Sequence, residues 1–168
     1  MPAPEVDRQH KPQTGAERTL LEGFLDFHRA TLLVKCQGLT DNQLKLRSVD
    51  PSTLSLLGLV RHMTEVERGW FRRRVGGETG PSVAPQYYSD ERPDDDFDAT
   101  DSPPADVVFA RYLEEVERCK AAAVGVPLDA TVGERSVRWI YLHMLEEYAR
   151  HNGHADLLRQ RIDGATGE

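Results

Sequence analysis

Across residues 17–37 the apolar side chains Leu20, Leu21, Phe24, Leu25, Phe27, Leu32 and Val34 recur close to the 3.6-residue period of an α-helix. Gly38 follows, where a helix end commonly needs positive φ, so a first helix is expected there. Residues 39–44 read as a capped turn, and Asp50-Pro51-Ser52-Thr53 reads as a start signal. A second helix should then occupy about 54–75, through Leu56, Leu59, Val60, Met63, Val66, Trp70 and Phe71, and close at Gly76-Gly77. Pro103-Pro104 opens a third, carrying Val107, Val108, Tyr112, Leu113, Val116 and Ala123, which Gly125-Val126-Pro127 stops. Residues 128–135 suit an extended piece or a loop. A fourth helix is expected over about 137–162, with Gly164 marking its exit.

Between the second and third patterns, residues 78–102 hold Pro81, Pro85 and Pro93 and eight acidic residues, with no lasting periodicity. A connection of that length forms a lid or spans a bundle from end to end. Its Asp94-Asp95-Asp96 run reads as solvated surface, with a cation site as the alternative. Four helical patterns joined by two short connections and one long one predict an all-α fold. The expected architecture is a four-helix bundle with a long crossover between helices two and three and negligible strand. Residues 1–13, with three prolines and little apolar content, predict a flexible N-terminal arm ahead of a bundle domain at 14–168.

The 168 residues are 39% hydrophobic and 29% charged, which fits one ordinary globular domain. A formal net charge of −7 offers no cationic excess for phosphates, so nucleic acid is not an expected partner. No apolar run approaches the roughly 18 residues of a membrane span, and the N-terminus lacks the apolar stretch of a secretory signal. A cytoplasmic protein without membrane association is therefore expected. Cys36 and Cys119 match neither a redox nor a zinc spacing, and both read as buried thiols.

Of six histidines, His62 falls on the second helix and His143, His151 and His154 on the fourth. At about 100° per residue, Ile140, Met144, Tyr148, Ala155, Leu158 and Ile162 define the buried arc of the fourth helix. His151 lands near its centre, with Glu147 and His154 on the flank within roughly 60°. His62 lies one turn from Leu59 and Val66 on the second helix and also points inward or to the rim. His62, His151 and His154 could thus share a divalent metal with an open position, which is the geometry of a catalytic site. The alternative is that each ring satisfies itself by hydrogen bonding inside the bundle. Glu65, Glu147 and Arg150 are the nearby charged groups, either orienting a ligand or pairing on the surface. Arg72-Arg73-Arg74 suits the C-terminal end of a helix dipole, Trp70 and Trp139 read as core anchors, and Tyr87-Tyr88 as a tether or lid of the crossover.

The stretch from Leu57-Gly58-Leu59-Val60-Arg61-His62-Met63 to Gly69-Trp70-Phe71, followed by Glu146-Glu147-Tyr148-Ala149-Arg150-His151-Asn152-Gly153-His154, resembles the DinB superfamily. The likeness is nearest to its actinobacterial mini-circle branch, related to mycothiol-dependent maleylpyruvate isomerase and the bacillithiol S-transferases, and it covers residues 16–165. It implies a four-helix bundle, often dimeric, in which a histidine of the second helix and two residues of the fourth bind zinc or nickel. Carried over by position, it implies His62, His151 and His154 as ligands. It further implies a metal-dependent transferase that activates a small thiol such as mycothiol for attack on an electrophile. A non-catalytic stress or interaction protein and a metal-dependent hydrolase are the alternatives on this fold. Many members space their last two ligands four apart, whereas His151 and His154 are three apart and Arg150 cannot ligate. Either the three-apart pair binds with altered ring orientation, or water or Glu147 completes the site, which makes His62 and His154 the firmer pair.

Overall fold

The computed structural model describes residues 3–98 and 103–166. Four long helices carry the fold: α1 (Glu17–Val34), α3 (Leu56–Glu67), α5 (Ala105–Ala123) and α6 (Val137–Asp163). One-turn helices α2 (Asp41–Leu44) and α4 (Asp95–Asp98) lie in the connections. The all-α bundle expected from the sequence is the fold observed, with α1 packed on α6 and α3 on α5. Residues 128–135 resolve into a minimal antiparallel hairpin, β1 (Thr131–Val132) with β2 (Arg135–Ser136).

Local chemistry sets the ends of these elements. Ser55 Oγ accepts the Gly58 N–H at 3.1 Å, so α3 begins two residues later than the apolar pattern alone suggests. A Thr40–Gln43 capping box opens α2, and Gly164 closes α6 at φ 79°. The residues after Glu67 do not continue as α-helix. Arg68–Val75 forms a π-helical stretch, in which the Gly76 N–H reaches back five residues to the Phe71 carbonyl at 2.8 Å.

Residues 3–16 have no helix or strand and pack on α1. The Pro4 carbonyl accepts from Gln37 Nε2 at 3.1 Å, and Arg8 and Lys11 cover the ring of Phe27. Gly23 makes room for this, because a Cβ there would sit 2.6 Å from the Pro12 ring. The core is built from Leu25, Leu32, Leu56, Leu59, Met63, Val108, Ile140, Met144 and Leu158. Cys36 and Cys119 are buried free thiols, as expected, and burial pushes the Cys36 thiol up to about 12.

Buried charges join these helices. Arg29 on α1 grips Glu67 on α3 through two N–H···O bonds of 2.7 Å, and the Tyr148 hydroxyl of α6 donates to the same carboxylate at 2.8 Å. Tyr112 of α5 adds a hydroxyl contact to Tyr148 at 2.8 Å. Burial pushes both phenols well up, so they remain protonated donors. Arg68 bonds Glu65 and Glu115 at 2.7 Å each, and Arg72 bonds Glu115 at 3.0 Å and Glu78 at 2.7 Å. Arg72 therefore serves the interior, whereas Arg73 and Arg74 are exposed. Such pairs offset a desolvation cost more than they add stability, but breaking one leaves a buried charge alone.

Candidate metal centre

His62 projects from α3, and Glu147 and His151 from successive turns of α6. One ligand atom from each lies within 4.8 Å of the other two, which is the one such group among the described residues. His151 Nε2 stands 3.4 Å from Glu147 Oε2, and the rings of His62 and His151 are 4.7 Å apart between centroids. His151 is buried, and the other two are half-buried.

Burial pushes the His151 imidazole down to about 3, with the charges of His62, His154 and Arg150 acting in the same direction. At neutral pH it is therefore an uncharged ring with a lone pair to give, the form that ligates metal. His62 is held from outside the helix pair. Its Nδ1 lies 2.7 Å from Asp96 Oδ2, and the Phe97 ring stacks on it at 4.2 Å and 25°. Asp96 corrects the reading of the acidic run as solvated surface: Asp94 is exposed, but Asp96 is buried against α3. Two imidazoles and a carboxylate form a donor set suited to a divalent transition metal, and three protein donors are typical of catalytic rather than structural sites. The residues present thus fit the metal that the sequence resemblance implies.

His154 stands outside this group, with its Nδ1 3.4 Å from His151 Nδ1. The group holds His151 and Glu147, four apart on α6. That spacing is the signal in the sequence for Glu147. Nothing local marks Asp96. Glu65 is turned away, bonded to Arg68 and to the backbone N–H groups of Gln86 and Tyr87 at 2.7 and 3.0 Å. It thereby tethers the crossover to α3, and Tyr87 is buried at that tether. Arg150 is an exposed partner of Glu146 and Glu147 at 3.5 Å. His143 stacks on Trp139 at 5.0 Å with its Nε2 3.8 Å from Glu147 Oε1. Trp70 is partly buried against the core, as read, whereas Trp139 is not a core anchor: it is 40% exposed, meets Trp70 at 5.6 Å and lies under Arg135.

Among the described residues, no helix is long and apolar enough to cross a membrane. No curated protein matches the chain. The family described as mycothiol-S-transferase matches residues 20–164, in agreement with the DinB-like resemblance carried by the two histidine segments. With nearly the whole bundle inside that match, the chain belongs to the mycothiol-S-transferase family.

Proposed function

We propose that this protein is a metal-dependent S-transferase that uses mycothiol, or a similar low-molecular-weight thiol, as the nucleophile toward an electrophilic carbon. The observation that carries the reading is the convergence of His62, Glu147 and His151 within 4.8 Å at the α3–α6 seam of a chain in this family. His62 and His151 would each give an imidazole nitrogen and Glu147 a carboxylate oxygen to a dication, with zinc preferred over nickel. His154 backs His151 rather than ligating.

A dication bound there supplies stabilisation of thiolate over thiol at neutral pH, against a free thiol value near about 8.5. The chain's own residues prepare the place. Burial keeps His151 uncharged, the α6 backbone sets Glu147 one turn before it, and the Phe97 ring shields one face of His62 from water. In the reaction the thiol sulfur forms a bond to carbon and its proton is released. The carbon's leaving group departs with the displaced electron pair or, in an addition, the displaced π pair takes up a proton.

Elemental analysis of untagged protein followed by thiol titration of a cobalt-substituted sample tests this. One metal per chain and a sulfur-to-cobalt charge-transfer band with mycothiol are expected, with thiol consumed when a haloaromatic or epoxide is added. A cobalt spectrum unchanged by mycothiol and simpler thiols across neutral pH would refute thiol transfer.

A further inference from the structure

The crossover segment that carries Asp96 does more than fill space beside α3. Both oxygens of the Asp96 carboxylate are engaged: Oδ2 faces His62 Nδ1 at 2.7 Å, and Oδ1 accepts the Phe97 backbone N–H at 2.9 Å. A carboxylate used in this way is not placed to ligate. It can accept a proton from Nδ1, and an imidazole that gives Nδ1–H to a carboxylate has its lone pair on Nε2, the nitrogen left for the centre.

The segment is seated with matching care. Arg61, buried to 2% exposure one residue before His62, donates from Nε to the Asp96 carbonyl at 2.8 Å and from Nη2 to the Phe97 carbonyl at 3.1 Å. Gly58, one turn earlier on α3, permits the approach, since a Cβ there would stand 3.2 Å from the Phe97 carbonyl oxygen. The Phe97 ring then lies over the imidazole at 4.2 Å. Backbone, ring and carboxylate of one short segment thus converge on one histidine. An anchor for the crossover alone would need neither the stacked ring nor the carboxylate aimed at Nδ1.

We propose that Asp96 is a positioning residue of the metal centre, fixing His62 as the Nδ1–H tautomer with Nε2 turned to Glu147 and His151, and that Arg61 and Phe97 hold it in that task. The proposal rests on the metal-centre reading above. It also makes the acidic crossover part of the centre, so that holding the segment and binding metal favour one another.

The test is Asp96→Asn, with Phe97→Leu as a second variant, in full-length protein stripped by chelator and checked for native helical circular dichroism. In Asp96→Asn the amide oxygen can keep the Phe97 N–H, but the amide nitrogen then faces Nδ1 and demands the opposite tautomer. Nitrogen-15 NMR of the metal-free proteins should show His62 as Nδ1–H in the wild type and Nε2–H in Asp96→Asn. Zinc affinity, measured by competition with a chromophoric chelator, should fall by roughly 10–100-fold in Asp96→Asn and by less in Phe97→Leu. If Asp96→Asn does not fold, the wild-type tautomer together with the smaller loss in Phe97→Leu decides the matter. A wild-type His62 found as Nε2–H, or a folded Asp96→Asn with unchanged tautomer and zinc affinity, would overturn the proposal. A wild type with the Nδ1–H tautomer but no zinc binding would instead sink the metal-centre reading and leave only the orienting contact.

Discussion

Replacing Arg29 with methionine removes one side of a buried ion pair and tests whether buried charge holds α1, α3 and α6 in register. Glu67 is fully buried, and its carboxylate takes two Arg29 bonds of 2.7 Å and one from Tyr148 at 2.8 Å. Without Arg29 only the phenol is left to face it. Breaking a buried pair from one side costs about 3–5 kcal/mol. With a urea m-value of about 2 kcal/mol/M, that lowers the unfolding midpoint by about 2 M, or the melting temperature by roughly 10 °C. Glu67→Leu should cost less, because Arg29 keeps Asp26 at 2.9 Å on a half-exposed edge. The double variant Arg29→Met/Glu67→Leu should be more stable than Arg29→Met alone, since no charge is then stranded. Urea unfolding followed by far-ultraviolet circular dichroism measures all four proteins. A loss below about 1 kcal/mol for Arg29→Met, or a double variant equal to the sum of the singles, would refute the reasoning.

Glu147→Gln should lose most bound zinc, whereas His154→Ala should keep it; metal retained in the first and lost in the second would return the ligand set to the three histidines. In chelator-treated protein, stability should fall as pH drops below about 6.5, the ordinary histidine range, and keep falling toward about 3, because the unfolded chain takes a proton that native His151 refuses. His151→Gln should flatten that part of the pH profile, and an unchanged slope would show that His151 is not responsible. Cys36 and Cys119 should react with a disulfide reagent only on unfolding, since burial raises both thiols, and two rapidly titrated thiols in native protein would contradict the packing.

The bundle is legible in the sequence because its signals are local. Apolar periodicity, Gly38 and Gly164 at helix exits, and Pro103-Pro104 before α5 all act within a turn or two of where they stand. The π-helical stretch is different in kind. It turns Arg68 and Arg72 inward to one carboxylate, Glu115, which is 47 and 43 positions away, and no window along the chain contains both ends of that bargain. The two tryptophans illustrate the same limit. Their apolar character predicts burial, but only Trp70 packs partly on the core, while Trp139 stays 40% exposed under Arg135 and His143.

At the centre, the sequence points to His62, His151 and His154 and holds His62 and His154 the firmer pair, whereas the group that converges is His62, Glu147 and His151. The reason the two flank positions are hard to tell apart is geometric. Relative to His151, Glu147 is displaced by about −40° around α6 and His154 by about −60°, so the two share a flank and differ by only roughly 20°. They differ along the axis: Glu147 lies about 6 Å toward the N-terminus and His154 about 4.5 Å toward the C-terminus. Which of them meets His62 is therefore decided by the height at which α3 passes α6. That height is held by Glu67, through Tyr148 and Arg29, five residues along α3 from His62. The choice between carboxylate and imidazole at the centre thus depends on contacts among three helices that are distant in the chain. A change that lets α3 slide along α6 would alter the donor set without touching any donor.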